Sequence, residues 1–595
     1  MKRSLKIRED GLRPYQTHFL FQAQAPFTLK GVDQLVRDLL SELNHGVTDA
    51  KDNCVLLQRS RACKEDEEIL SWVIYRREPI VRWATGPGAP RDIEHHVAIL
   101  IARGTLLTLV ATEKPLGPKL ARSTRESSRW STLHPAPPAT LEAALVHGHS
   151  RTLWLSGIHR SVAAKADSKM LVGCDVEATL DALGDQTYQY TSTRCAGPPD
   201  SFPQTTVGVT PRSAKVWLGP SPDWTTFRTN SRELLRIVGA GPASGTTPYP
   251  LLARSGASLA EVHDAFDVSF TPPEYLYDED PTVLQHLAIL QGARWTVRPT
   301  RDADCVVTLH LDSGDHDIQI QLRSDGTRIV PSVNTVDPIP AKEVASILAL
   351  CRRPDLLKIF YESLHTYSDG ALFEVRTRPF VFDVSPRDFS GYDITLEKPK
   401  GLGGPGACDL SKIGARGEPS LFSWVWKTYR DGWLWCDDGS GEIADFIHLA
   451  PDKTLSLIHV KAAHTASVAR GISVSAYEVV CSQALKNLRY TERVLLEGPL
   501  KEKLAEAHLV RGWHNGKPLA LQSPRFLKAL ESVKYSELRR RVVILQPHVS
   551  KALLPSDVST DTKAVRQALL LYTLLSSVKA DVNRYGVDFE VVVDR

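Results

Sequence analysis

An acid, an imidazole and an amine lie close together in residues 436–463, which read CDDGSGEIADFIHLAPDKTLSLIHVKAA. Asp445 lies within the apolar run IADFIHL, and His459 and Lys461 lie at the end of LSLIHVK. Charged groups at half-buried strand positions are costly unless another charge or a cation is paired with them. A divalent cation would satisfy the carboxylate, and a phosphate would satisfy the lysine. The residue types therefore indicate metal-assisted attack of water on a phosphodiester.

These three side chains meet in only one register of the two strands. Alternate residues of a strand share a face, so Asp445 lies with Ile443 and Ile447, and His459 lies with Lys461. If residue 450 pairs with residue 454 across the turn PDK, residue 445 pairs with 459 and the three groups converge. A two-residue loop would shift the register by one and separate them.

The surrounding elements are predicted from hydrophobic periodicity. We expect a short helix in PSLFSWVWKTY, three strands in GWLWC, EIADFIHL and TLSLIHVKAA, and one long helix over residues 473–497. A strand in RRRVVILQP, a helix in TKAVRQALLLYTLLSSVKADVNR and a strand in DFEVVV follow. The fold class is α/β, with a mixed sheet flanked by helices at the C-terminus and a mixed α+β region before it.

This order resembles the PD-(D/E)XK nuclease superfamily over about residues 420–595. The resemblance implies a restriction-endonuclease-like core, with Asp445 as the motif Asp and His459-Val460-Lys461 as the second element on the next strand. It also implies an acid at the helix before the meander, Glu418, and a Gln or Lys on the helix after it, for which Gln483 and Lys486 are the candidates. The implied catalytic residues are Asp445, His459, Lys461, Glu418 and Gln483. Asp445, His459 and Glu418 would bind Mg²⁺ or Mn²⁺.

His459 departs from the motif, which has Asp or Glu at this position. An imidazole adds no negative charge for Mg²⁺, so the exchange implies Mn²⁺ preference, weak metal affinity or an inactive site. Glu442 is a candidate for the missing acid, although on a regular strand it faces away from Asp445. Asp437 and Asp438 directly precede the GSG turn, and we expect them to form the turn rather than bind metal.

Further basic residues are candidates for phosphate contact. Arg539, Arg540 and Arg541 begin a predicted strand, and a solvated strand edge is the alternative interpretation. Three more candidates just past Lys461 are His464, Arg470 and Ser473.

The chain of 595 residues is expected to contain several domains, because single cores stop growing at about 250–300 residues. We predict a mixed α/β region at 1–260 that senses a signal or binds a partner. An antiparallel meander with helices, regulatory or linking, is predicted at 261–396, and the nuclease-like domain at 397–595. The glycine-rich residues 397–419 are interpreted as an interdomain connection.

The bulk composition excludes few functions. Lys and Arg number 72 against 69 Asp and Glu, so a nucleic-acid partner is neither required nor excluded. Nine scattered cysteines without a CxxC pair argue against a zinc ribbon and suit a reducing compartment. No signal-peptide pattern or apolar run of about 20 residues is visible, so we expect a cytoplasmic protein without membrane contact.

The stretch IVGAGPASG at 237–245 is similar to a dinucleotide-binding glycine fingerprint. Ser244 occupies the third glycine position, and two prolines follow where a helix should begin. A turn is therefore expected, and an oxidoreductase is the least favoured function.

The sequence favours a metal-dependent nuclease, with DNA as the favoured substrate. The architecture resembles bacterial nucleases of anti-phage defence or restriction, which implies a helicase or ATPase partner and is compatible with a homo-oligomer. The alternative is a nuclease-fold subunit that binds nucleic acid or a complex without cleaving.

Overall fold

The structure is a computed structural model. It describes residues 7–45, 54–81, 83–84, 86, 88–114, 116–126, 132–161, 164–181, 183–196, 206–241, 248–256, 258–270, 281–312, 314–325, 328–336, 342–375, 379–402, 408–439, 441–467, 470–505 and 511–595. The chain forms two compact units, Met1–Glu177 with Gln186–Arg376, and Ala178–Asp185 with Thr377–Arg595. Both combine helices with sheets, which confirms the α/β class. The second unit begins 20 residues before the predicted boundary at 397, and the division at 260/261 falls inside the first unit.

The N-terminal part of the first unit is a large sheet with the order β2-β4-β5-β6-β1-β12-β11-β10-β8-β9, where β3 pairs with β4 and β7 with β1. Its strands are β1 (Thr17–Ala23), β2 (Val55–Arg59), β3 (Cys63–Glu65), β4 (Glu68–Arg77), β5 (Glu94–Arg103), β6 (Leu106–Ala111), β7 (Leu133–Pro135), β8 (Ser150–Gly157), β9 (Ser168–Val172), β10 (Tyr188–Ala196), β11 (Thr206–Thr210) and β12 (Lys215–Trp217). The helices are α1 (Leu29–His45), α2 (Leu116–Glu126), α3 (Pro138–Leu145) and α4 (Trp224–Gly239).

Helix α4 argues against dinucleotide binding at residues 237–245. The fingerprint requires a strand before its first glycine, whereas Ile237, Val238 and Gly239 are the last residues of a helix. Residues 242–245 lie outside the described residues.

Two smaller sheets complete the first unit. One has the order β13-β21-β20-β19-β14, and the other is β15-β16-β17-β18, an antiparallel meander within the predicted range 261–396. The strands are β13 (Arg254–Ser255), β14 (Ala265–Phe270), β15 (Arg294–Pro299), β16 (Cys305–Leu311), β17 (Gly314–Asp325), β18 (Arg328–Thr335), β19 (Leu357–Tyr361), β20 (His365–Ser368) and β21 (Ala371–Glu374). The helices are α5 (Pro281–Gly292) and α6 (Lys342–Cys351).

The second unit is built on one mixed sheet with the order β22-β29-β28-β25-β24-β23-β26-β27. Its strands are β22 (Ser385–Arg387), β23 (Trp433–Cys436), β24 (Phe446–Leu449), β25 (Thr454–Val460), β26 (Arg511–His514), β27 (Lys517–Pro518), β28 (Arg539–Ser550) and β29 (Asp588–Asp594). The helices are α7 (Leu421–Thr428), α8 (Ser475–Asn487), α9 (Arg493–Ala505), α10 (Arg525–Ser532) and α11 (Lys563–Arg584). Strands β23, β24 and β25 pair antiparallel, whereas β25–β28, β28–β29 and β22–β29 pair parallel.

The predicted order of a helix, a three-stranded meander, a helix, a strand, a helix and a strand is therefore present in this unit. The long helix expected over 473–497 is wrong, because a 3₁₀ turn at Leu488–Thr491 divides it into α8 and α9. The Thr491 hydroxyl donates to the carbonyl of Leu488, which competes with helical hydrogen bonding. Strands β26 and β27 and helix α10 were not predicted.

Helices cover both faces of this sheet. Helix α7 packs Phe422 against Ile458 and Val460 of β25 on one face. On the other face, α8 and α11 pack against β28 and β29, and α9 and α10 pack against β23, β24 and β25. Every residue of β25 is buried, including the polar Thr454, Ser456 and His459.

Within the described part of the chain, no helix is both long enough and apolar enough to cross a lipid bilayer.

Candidate functional site

The β24–β25 hairpin has the register that the site requires. Phe446 pairs with Ile458 and Leu449 with Leu455, and the amide of Ala450 donates to the carbonyl of Thr454 at 2.9 Å. Of the two registers considered, this is the one in which 450 pairs with 454, and it places Asp445 opposite His459.

Asp445 lies at a bend immediately before β24 and is buried. Its Oδ2 accepts a hydrogen bond from the backbone amide of Val460 at 2.7 Å, and its carbonyl accepts one from Asp437 at 3.0 Å. Burial raises the pKa of the Asp445 carboxyl well above its ordinary value, and the nearby charges of Glu442 and Glu397 raise it further. A buried carboxyl among other acids is a group that a cation would stabilise in its charged form.

Three acids converge at this bend. One carboxylate oxygen from each of Asp438, Glu442 and Asp445 lies within 4.8 Å of the others. The chain is not a regular strand here, because the amide of Glu442 donates to the carbonyl of Gly439 in a turn. Glu442 therefore faces Asp445, and the expected opposite orientation is wrong. Burial, followed by the charge of Asp438, raises the pKa of Glu442.

The two neighbouring aspartates have different roles. Asp437 stabilises the turn as predicted, since Oδ2 accepts the amide of Ile443 at 2.7 Å and Oδ1 pairs with Lys503 at 2.7 Å. Asp438 was also interpreted as a turn former, but its carboxylate belongs to the acid cluster.

Two lysines and a further glutamate extend the cluster. Lys398 Nζ lies 2.5 Å from Asp438 Oδ1 and 3.7 Å from Glu397 Oε1. Lys461 Nζ lies 3.1 Å from Glu397 Oε2, which also accepts the amide of Ala462 at 3.3 Å. Burial lowers the pKa of Lys398, but the hydrogen bond and charge of Asp438 outweigh this effect and raise it overall. Acids and amines thus alternate from Lys461 to Asp438.

Helix α8 places Gln483 at the cluster, as predicted. Gln483 Nε2 donates to Glu442 Oε1 at 3.4 Å, and Asn487 Nδ2 donates to the carbonyl of Glu442 at 3.4 Å. A shallow depression of about 320 Å³ follows this side of α8 and is lined by Glu478, Val479, Ser482, Gln483 and Lys486. Gln483 therefore links the acids to an open surface.

His459 is buried beside the cluster but does not join it. Among the described residues, its ligand atoms are not grouped with those of the three acids, and Nε2 has no hydrogen-bond partner. Burial lowers its pKa to about 4, with a further contribution from the charge of Lys486. His459 is therefore a neutral imidazole near pH 7, unlike the acid that the motif implies.

Glu418 lies outside the acid group. Its Oε1 accepts the amide of Ser420 at 3.0 Å, next to the start of α7, and it is not one of the three converging acids. The glutamate beside Lys461 is Glu397 instead. Its own carbonyl accepts the amide of Phe422, which ties it to the first turn of α7. The interpretation of 397–419 as a mere connection is therefore wrong for its first residues.

The three consecutive arginines lie at the wrong end of the sheet for this site. Arg539 pairs with Thr454, whereas Lys461 follows the other end of β25, about 23 Å away at the usual strand rise. Arg540 pairs with Glu492, and Arg541 pairs with Glu590 at 3.4 Å.

The candidates past Lys461 are engaged locally. Arg470 is buried, donates from Nε to the carbonyl of His548 at 2.7 Å and pairs with Asp594. Ser473 shares a hydrogen bond with Ser475, and the ring of His464 lies 5.1 Å from that of His548. Arg470 was expected to contact phosphate, but its contacts within the unit give it a structural role instead.

Comparison of the chain with profiles of known protein families, with curated proteins and with solved structures finds no significant match.

Proposed function

We propose that the chain is a metal-dependent nuclease that hydrolyses phosphodiester bonds, with DNA as the favoured substrate. The convergence of Asp438, Glu442 and Asp445 carries this proposal. Three carboxylates within 4.8 Å of one another, one of them deeply buried, are a donor set that suits Mg²⁺ or Mn²⁺. Lys461 is joined to this cluster through Glu397 and supplies the positive charge that phosphoryl chemistry requires.

In this mechanism each side chain has a separate role. Asp438, Glu442 and Asp445 would hold a cation, which would supply an activated water and charge neutralisation at the phosphate. Gln483 orients the Glu442 carboxylate. Glu397 positions the amine of Lys461, which stabilises the negative charge that develops on the phosphate. His459 shields one side of the site as a neutral group rather than acting as a charged ligand.

The element order of the second unit supports membership of the PD-(D/E)XK superfamily, which we retain as part of the proposal. A cytoplasmic location, a role in anti-phage defence, a helicase or ATPase partner and self-association are proposed on the same resemblance. The first unit would then sense the trigger or bind the partner. These assignments rest on analogy of architecture.

A second candidate function is a nuclease-fold protein that binds nucleic acid without cleaving it. The ammonium of Lys398 favours this candidate, because it neutralises Asp438 from within the chain. The neutral His459 favours it as well, since the motif's acid is replaced.

Cleavage of supercoiled plasmid in Mg²⁺, Mn²⁺ or EDTA tests the proposal. Wild type would be compared with Asp445→Asn, Lys461→Ala and the matched acid control Glu418→Gln. Metal-dependent nicking that is lost in the first two variants and kept in the control supports the nuclease. DNA binding in EDTA without cleavage in either metal supports the second candidate, and cleavage that survives in Asp445→Asn contradicts the assigned site.

A further inference from the structure

The segment between α9 and β28 is strongly basic. Residues 501–541 contain ten Lys and Arg against four Glu, in a chain whose overall charge is only +3. Half of these cations are held in ion pairs within the unit: Lys501, Lys503, Lys534, Arg540 and Arg541. The others lie mainly on the β26–β27 hairpin and on α10.

This hairpin and α10 surround a stacked aromatic pair at the sheet edge. Trp433 of β23 lies opposite His514 of β26, with ring centres 3.9 Å apart and planes inclined by 22°. Lys517 of β27 lies opposite His514 in turn, so the three side chains form one row on one face. The guanidinium of Arg525 lies 5.5 Å from the centre of the Trp433 ring.

The hairpin holds this row in a fixed position. Asn515 and Gly516 both have positive φ, 49° and 71°, as a two-residue hairpin turn of the primed type requires. Asn515 Oδ1 also accepts the amide of Gly432 at 2.9 Å, which ties the turn to the start of β23. The row is therefore organised before any ligand binds.

The cations around the row are available to an anion. Lys517, Arg525 and Lys528 are exposed, and none of them forms an ion pair with an acid in the described part of the chain. Exposed cations around aromatic rings are the combination by which proteins bind single-stranded nucleic acid, where bases stack and phosphates pair. A duplex would fit the row poorly, because its bases are already stacked on one another.

We propose that Trp433, His514, Lys517, Arg525 and Lys528 form a binding surface for single-stranded nucleic acid. The proposal rests on the proposed function for its substrate class and adds how that substrate is held. An unpaired base stacks on the Trp433–His514 pair, and the three cations contact the flanking phosphates. Strand β23 leads from Trp433 to Cys436, and Asp438 follows two residues later, about 16 Å from Trp433 at the usual strand rise. Trp433 is in register with Leu449 and Leu455, at the end of the sheet opposite the acid cluster, so a bound strand must run along β23 to reach the acids.

Fluorescence anisotropy with labelled oligonucleotides of about 20 nucleotides tests this surface. Single-stranded DNA, single-stranded RNA and duplex DNA would be titrated in EDTA, so that binding is measured without cleavage. The full-length variants are Lys517→Glu/Arg525→Glu and His514→Ala. The control with the same change in charge is Lys551→Glu/Lys563→Glu, in the 3₁₀ turn after β28 and at the start of α11. Circular dichroism verifies that each variant is folded.

We expect single strands to bind more tightly than the duplex. The charge variant Lys517→Glu/Arg525→Glu should weaken this binding about tenfold or more. The slope of the logarithm of affinity against the logarithm of salt concentration should fall by about two, as for the loss of two phosphate contacts. His514→Ala should weaken it about fivefold or more, and the control should change it less than about twofold. The DNA and RNA titrations identify which single strand is preferred.

Equal binding by the variants and wild type would overturn the surface, as would a preference for duplex or no binding of single strands. Failure of this proposal can be distinguished from failure of the proposed nuclease activity. If wild type cleaves plasmid but the surface variants bind single strands as well as wild type does, the binding surface alone is wrong. If the surface variants lose binding but wild type cleaves plasmid in neither metal, the nuclease activity alone is wrong.

Discussion

The ammonium nitrogen of Lys398 lies 2.5 Å from Oδ1 of Asp438, one of the three acids that would bind a metal. The same nitrogen lies 3.7 Å from Glu397, and its positive charge is felt by Asp445. The ammonium group of Lys398 therefore already neutralises part of the negative charge that would bind a divalent cation. Metal binding and the Lys398–Asp438 pair oppose each other.

Replacing Lys398 with Met should strengthen divalent metal binding. The variant removes a competing charge from the acids while keeping a similar side-chain volume, so we expect Mn²⁺ affinity to rise about tenfold, or about 1.4 kcal/mol. Isothermal titration calorimetry measures this directly, with Lys400→Met as the control. Unchanged or weaker Mn²⁺ binding by Lys398→Met would show that the amine does not compete with the metal.

Glu397 and Glu418 should differ in their importance for cleavage. Glu397→Gln removes the charge that holds Lys461 at 3.1 Å, so nicking of plasmid should fall about 10–100-fold. Glu418→Gln changes an acid whose carboxylate contacts the Ser420 amide, and nicking should stay within about twofold. Initial rates at saturating Mg²⁺ distinguish the two, and equal losses would favour the sequence-based assignment of Glu418.

Asp445 should destabilise the metal-free protein near neutral pH. Its folded-state pKa is raised by burial, so the folded state binds this proton more tightly than the unfolded state. The stability that this proton contributes is fully present below the pKa of Asp445 in the unfolded chain, which is about 4. It is lost as the pH rises through the higher pKa of Asp445 in the folded protein. Asp445→Asn keeps an acceptor for the Val460 amide and should be more stable in EDTA at pH 7 by about 1–3 kcal/mol.

Urea denaturation in EDTA between pH 4 and pH 8 measures the effect of Asp445. Added Mg²⁺ should narrow the difference between wild type and Asp445→Asn, because it stabilises the ionised carboxylate of wild type alone. A variant that is less stable than wild type in EDTA at pH 7 would contradict this account.

His459 should have the opposite pH dependence. Its pKa falls from 6.5 to about 4 in the folded state, so stability is complete above the unfolded value and is lost as pH falls toward 4. Acidification from pH 7 to pH 5 should cost wild type about 2 kcal/mol through this group. His459→Gln should lack that loss, which the difference between the two urea-denaturation curves at each pH reveals. If the free energies of unfolding of wild type and His459→Gln depended on pH in the same way, the imidazole would not be held neutral in the folded protein.

The sequence predicted most of what surrounds the site. The sequence limited the hairpin to two registers, of which the structure has the one that pairs 450 with 454. It could not choose between them, because both faces of β25 are buried and a one-residue slip would leave its residues buried as well. Gln483 was placed correctly, since its position off the apolar stripe of α8 turns it toward the sheet end.

The remaining features depend on tertiary contacts that local patterns do not encode. Glu442 faces Asp445 only because the chain turns at Gly439, and period-two alternation assumes a regular strand. Glu397 contacts Lys461 from a segment more than 60 residues earlier in the chain. The only local feature that could have indicated a role in the site was the adjacent acid and amine, Glu397 and Lys398. The hairpin β26–β27 was missed because its strands are short and mostly polar.

The position of β29 has a consequence for how the protein is made. This strand lies between β22, from the start of the second unit, and β28. About 200 residues separate β22 from β29, so β22 is synthesised long before the strand that it pairs with. The sheet is therefore completed only after β29 has been synthesised, and deletion of β29 should leave β22 unpaired and the nascent protein open to proteolysis.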